Sequence, residues 1–219
     1  SGAGLPLQLP ALVADPHVKL IPIVSSARTA DLLCRVWRRR HDRLPDAFVV
    51  EGPLAGGHLG FSLDQLAAPE EFRLERLVRE VLGVAREHGR GAAIPVIAAG
   101  GIFDGRDIAR FLRLGAAGVQ LGTRFVGTLE CDAALPYKEA YLSCRREDIT
   151  TIVSPVKMPA RVISNGFVKR ILLGDAVAGL VRLAGGQAVI GAAEVHLLAQ
   201  EDALHEVVAC LLYTSPSPR

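Results

Sequence analysis

One histidine of the 219-residue chain stands where a side chain could exchange a proton with a bound substrate. His58 lies in the stretch Val50-Glu51-Gly52-Pro53-Leu54-Ala55-Gly56-Gly57-His58-Leu59-Gly60. The apolar, β-branched run Ala47-Phe48-Val49-Val50 before it reads as a buried strand leaving a sheet. Glycines next to a functional side chain let the backbone approach a ligand closely. Imidazole titrates near neutral pH, so His58 is the leading catalytic residue, as general acid or base. Glu51 ends the same strand, and two roles stay open for it: orienting His58 or the ligand, or serving as an ordinary solvated acid.

A second constellation is Gly100-Gly101 with Gly122-Thr123, each pair following an apolar run. Amides freed by such turns can point at phosphate oxygens, and Thr123 adds a hydroxyl donor. Either pair alone would favour a simple tight turn, whereas two pairs after adjacent strands favour phosphate binding. Arg124 directly follows the second turn, and contact with a cofactor is the less favoured reading for it. Arg38, Arg39 and Arg40 read as a solvated helix end rather than a phosphate patch. His17, His41, His88, His196 and His205 are expected to be solvated. Tyr137 and Tyr141, with Lys138 between them, are expected to pack.

These groups need strands and helices to hold them. A strand is expected over 18–24, then a helix capped by Ser26 with Ala30, Leu33, Val36 and Trp37 inward. A strand over 46–51 follows. An amphipathic helix is expected over about 69–87, burying Leu74, Leu77, Val78, Val81, Leu82 and Ala85 and ended by Gly89 and Gly91. After a strand at 94–99, Asp104 caps a helix with Ile108, Phe111 and Leu112 inward, closed by Gly115. A short strand at 118–123 and a helical segment near 133–144 complete the pattern. Strands alternating with helices imply a parallel sheet. No GxGxxG follows the first strands, which counts against a dinucleotide fold. Glycine turns after two late strands match the phosphate site of a (β/α)8 barrel, so the fold class expected is α/β, of TIM-barrel type.

The bulk numbers fit a soluble α/β protein: half the residues are hydrophobic, and the formal charge is +2. The charge and aromatic content argue against nucleic-acid binding. No run is long enough to cross a bilayer, and no secretory leader is evident. The four cysteines, Cys34, Cys131, Cys144 and Cys210, have no metal-binding spacing. Reduced thiols in a cytoplasmic protein are therefore expected, with no metal site.

The blocks Glu51-Gly52 with Ala55-Gly56-Gly57-His58-Leu59-Gly60, Pro95-Val96-Ile97-Ala98-Ala99-Gly100-Gly101-Ile102, and Gly118-Val119-Gln120-Leu121-Gly122-Thr123-Arg124-Phe125 resemble the nitronate monooxygenase (2-nitropropane dioxygenase-like) family. Gly115-Ala116, Glu130-Cys131-Asp132, Tyr137-Lys138 and the run 154–161 look like the same family, and the FMN-dependent enoyl-acyl-carrier-protein reductases share much of the pattern. The resemblance covers roughly residues 1–172. It implies an FMN-binding TIM barrel with His58 as the active-site histidine. Gly100, Gly101, Gly122 and Thr123 would hold the FMN phosphate, while Gly56, Gly57 and Gln120 would lie along the cofactor. A nitronate monooxygenase oxidises alkyl nitronates with O2. An enoyl reductase draws hydride from NAD(P)H and passes it through the flavin to a thioester-conjugated alkene. In either case the partner is a small-molecule substrate, with no membrane; self-association into a homo-oligomer stays open.

Against that family pattern, residues 1–172 are expected to be the C-terminal half of a barrel, about strands 5–8. Residues 173–210 would be a divergent, helical segment. Residues 211–219, with their Ser-Pro repeats, would be an unstructured tail of adapter or vector origin. An inactive half-barrel fragment is the alternative from outside the enzymes.

Overall fold

Burial alternates along the first strand, with Leu20, Pro22 and Val24 inside and Lys19, Ile21 and Ile23 outside, as a pleated edge requires. The computed structural model describes residues 5–172 apart from 14, 16, 90, 155 and 156; the expectations for 173–210 and 211–219 lie outside the described residues. In chain order the elements are α1 (Leu9–Leu12), β1 (Ile23–Val24), α2 (Ala27–His41), β2 (Phe48–Glu51), β3 (Gly57–His58), α3 (Leu63–Ala67), α4 (Leu74–His88), β4 (Val96–Ala99), α5 (Gly105–Leu114), β5 (Gly118–Gln120), α6 (Thr123–Val126), α7 (Leu135–Ser143), β6 (Ile149–Val153), β7 (Pro159–Ile163) and α8 (Gly166–Leu172). Short 3-10 turns lie at Pro69–Phe72 and Arg146–Asp148. The chain forms two compact units: residues up to Ala55 with Leu59–Phe125, and Gly56–His58 with residues from Val126 onward.

The first unit is built on a parallel sheet in the order β1-β2-β4-β5. Its strands neighbour one another in the order in which they occur along the chain, without the reversal that marks a doubly wound sheet. The expected strand over 18–24 is ladder-paired only at Ile23–Val24. Pro22 has no amide to donate there, but its carbonyl still accepts from Val49 N at 3.1 Å.

Phe48, Val50, Val96 and Ala98 face the helices and join Trp37, Leu33, Val78 and Val81 in one core. The six inward residues of α4 expected from the 3.6-residue period are all buried. Each of the three leucines and two valines among them contributes about 1.5–3 kcal/mol relative to exposure. Ser26 Oγ accepts from Thr29 N and starts α2, and Trp37 Nε1 anchors the N-terminal segment on Pro6 O at 3.0 Å. Asp104 caps α5, and Gly115 ends it in the left-handed region.

Three local expectations are corrected. Leu112 is 47% exposed, because the inward stripe of the ten-residue α5 narrows to Phe111 and the half-buried Ile108. His88 is buried rather than solvated: its Nε2 lies 2.8 Å from Asp31 Oδ1, which ties α4 to α2. Arg38 also leaves the basic run, donating to the carbonyl of His88 at the end of α4.

The second unit contains an antiparallel sheet in the order β3-β7-β6. Ile152, Ala160 and Val168 form its small core, with Val162 packed against them. Tyr137 and Tyr141 pack as expected, their ring centroids 4.9 Å apart on α7.

Candidate functional site

In the first unit, the parallel strands deliver a row of polar and glycine positions to their C-terminal ends. Glu51, Ala99 and Gln120 are register partners across β2, β4 and β5, so their side chains share one sheet face. That face is opposite the helix-packed one, which takes Val50, Ala98 and the partly buried Val119. Gln120 is exposed, and Glu51 is half-buried. Burial raises the Glu51 carboxyl to about 7 by disfavouring its charged form.

Immediately beyond β4 the backbone turns through Gly100 at φ +90° and Gly101 at φ +78°. A Cβ on Gly100 would stand 3.0 Å from the Cβ of Ala55, and one on Gly101 would stand 2.9 Å from that of Leu54. Both positions are therefore restricted to glycine, by backbone angle and by packing. Beyond β5, Gly122 accepts from Phe125 N at 2.9 Å and opens the short α6 at Thr123. Among the described residues, the amides of Gly101 and Gly122 donate to no protein acceptor. Such free donors at two neighbouring strand ends fit an anionic group.

In the second unit, Gly57 and His58 form β3 and pair with Arg161 and Ala160 of β7. His58 shares its sheet face with Ala160 and, one strand further, with Ile152, both of which are buried. The imidazole is half-buried, and its Nε2 is shielded from solvent with no hydrogen-bond partner among the described residues. Burial lowers its pKa below the ordinary histidine range, favouring neutral imidazole. A neutral ring nitrogen kept dry and unpaired is chemically equipped to take or give one proton.

The structure thus places Gly100, Gly101, Gln120, Gly122 and Thr123 at the strand ends of one unit, and Gly56, Gly57 and His58 in the other. Sequence reasoning missed the antiparallel hairpin β6–β7, which gives His58 its strand partner. Its unbroken β-branched run Ile149-Thr150-Thr151-Ile152-Val153 was the available signal. No group of three or more metal-ligating side chains occurs among the described residues. No described helix is long and apolar enough to cross a membrane.

A sequentially ordered parallel sheet packed against helices defines an α/β protein. The chain belongs to the nitronate monooxygenase family, whose model matches residues 8–194 and so runs beyond Leu172. It is 32% identical over 172 residues to the (3aS,4S,5R,7aS)-5-hydroxy-7a-methyl-1-oxo-octahydro-1H-indene-4-carboxyl-CoA dehydrogenase of Mycobacterium tuberculosis, a match covering 78% of this chain and 42% of that protein. It is 33% identical over 126 residues to a probable nitronate monooxygenase of Staphylococcus aureus, covering 58% of this chain and 34% of that protein. Its fold is similar to that of FabK from Thermotoga maritima, with a TM-score of 0.60 at 32% identity over 84% of this chain and 54% of that one. The chain spans less than half the length of these two curated relatives.

Proposed function

We propose that this chain is the C-terminal half of an FMN-binding (β/α)8 barrel, about strands 5–8, from an oxidoreductase that oxidises alkyl nitronates with O2. The observation that carries the reading is the dry, unpartnered Nε2 of His58 in a chain of this family. The parallel strands in chain order support the barrel, and the free amides of Gly101 and Gly122 support a bound phosphate.

When bound, FMN supplies the electron-accepting and oxygen-reducing chemistry of the reaction. Gly100, Gly101, Gly122 and Thr123 would hold its phosphate, and Gly56, Gly57 and Gln120 would contact the rest of it. His58 acts at Nε2. As neutral imidazole it takes the α-proton of a nitroalkane; the C–H electron pair stays on the substrate, which becomes the nitronate. The resulting imidazolium then stabilises that anion by a charge-assisted hydrogen bond.

A second reading is favoured by the curated relative from M. tuberculosis, whose name specifies a CoA thioester and whose match covers more of this chain than the staphylococcal one. The substrate is then an acyl thioester, with NAD(P)H as reductant in the enoyl-reductase form, and His58 Nε2–H polarises the thioester carbonyl. Oxygen uptake with an alkyl nitronate, set beside NAD(P)H oxidation with an enoyl thioester, separates the two. His58→Ala is expected to lower the active assay by about 100-fold or more. Undiminished turnover in that variant would remove His58 from the chemistry.

A further inference from the structure

The turn after β4 does more than free an amide. After the two left-handed glycines, Ile102 enters the core at 7% exposure and Phe103 is thrown outward at 63%. The face of that exposed ring is not bare. The guanidinium carbon of Arg124 sits 4.5 Å from the Phe103 ring centroid, a cation–π contact between the loop after β4 and the start of α6. Arg124 is itself exposed, and no carboxylate among the described residues pairs with it. A long cationic side chain is thus held in one place without its charge being neutralised.

The nearby α5 cannot offer its N-terminus to an anion. Asp104 Oδ1 accepts from Arg106 N at 2.8 Å and Asp107 N at 3.0 Å, while Asp107 Oδ2 accepts from Phe103 N at 3.0 Å. Two carboxylates therefore occupy the first amides of that helix and repel a phosphate there. The anion-binding capacity left around the two turns is the amides of Gly101 and Gly122 and the guanidinium of Arg124.

We propose that Arg124, held against the Phe103 ring, is a phosphate-binding residue that takes the phosphate monoester of FMN alongside the glycine turns. Phe103 is its positioning residue. The inference rests on the flavin reading above. It adds that discrimination between FMN and riboflavin, which lacks the phosphate, is set in large part by one surface cation. A planar guanidinium suits phosphate oxygens geometrically, and stacking on a ring restricts its rotamers before the ligand arrives.

The test is flavin fluorescence titration of the 219-residue chain and its variants with FMN and with riboflavin, at low and at raised salt, with thermal melts as the folding control. Arg124→Ala is expected to weaken FMN about tenfold and to leave riboflavin unchanged. The FMN affinity of the unaltered chain should fall with salt more steeply than that of Arg124→Ala. Phe103→Leu should weaken FMN about threefold, with no further loss when combined with Arg124→Ala, since its action passes through that side chain. Equal FMN affinity in Arg124→Ala and the unaltered chain, or an equal loss for both flavins, would overturn the assignment of Arg124 while the flavin reading stands. Binding of neither flavin by the unaltered chain would overturn both.

Discussion

Glu51 and Gln120 stand in one register row, two strands apart, with only Ala99 between them on the same face of the parallel sheet. Neighbouring strands lie about 4.8 Å apart, so the two side chains flank a gap of roughly 10 Å at the C-terminal edge. The face they share is the one the helices do not cover. A carboxyl and a carboxamide thus stand at that edge, and the carboxyl bears the cost of its burial.

That cost gives a pH-dependent prediction. Burial raises the Glu51 carboxyl from 4.5 to about 7. Between those values the folded chain binds more protons than the unfolded one, so Glu51 lowers stability progressively as the pH rises through about 7. Glu51→Gln is therefore expected to be more stable than the unaltered chain at pH 8, by at most about 3 kcal/mol, and to lose that advantage near pH 4.5. Urea unfolding at the two pH values measures it. A difference that does not change with pH would mean that the carboxyl is not buried.

His58 titrates in the opposite sense. Burial holds its pKa below the ordinary 6.5, so the neutral base persists into mildly acidic solution. If it accepts a substrate proton, the acid limb of kcat/KM for a neutral nitroalkane should be centred below pH 6.5. Finding the acid limb centred above 6.5 would contradict a buried imidazole as the base.

Gly101→Ala adds one methyl group where the backbone sits at φ +78° and where the Cβ of Leu54 would be 2.9 Å away. A loss of about 1–3 kcal/mol in chemical denaturation is expected, together with weaker FMN binding. A variant as stable as the unaltered chain would show that this turn relaxes readily.

Asp31→Ala leaves the buried His88 ring without its 2.8 Å partner. About 1–3 kcal/mol of stability should be lost. Flavin affinity should not change, since the contact joins the backs of α2 and α4 and touches none of the proposed cofactor residues.

The helices and parallel strands were readable because their periods are strong. Leu74, Leu77, Val78, Val81, Leu82 and Ala85 repeat at helical spacing and are buried, and the capping roles of Ser26, Asp104 and Gly115 follow from local chemistry. His88 was misjudged because its partner, Asp31, lies 57 residues away and no local pattern announces it. The hairpin β6–β7 was missed because the run 154–161 was read only as resembling a family motif and Ile149–Val153 has no apolar–polar alternation. Two-residue β3 has no period at all, and its pairing with β7 depends on contacts more than 100 residues apart in sequence. His58 stands out in the sequence by its glycine setting, but its buried, unpartnered Nε2 emerges only from the folded chain.

The most direct test of a flavin-binding chain is its visible absorption spectrum after incubation with FMN and gel filtration. The account predicts a flavin spectrum that co-elutes with the protein, shifted from that of free FMN by the environment of the ring. FMN that separates completely from folded protein would contradict it.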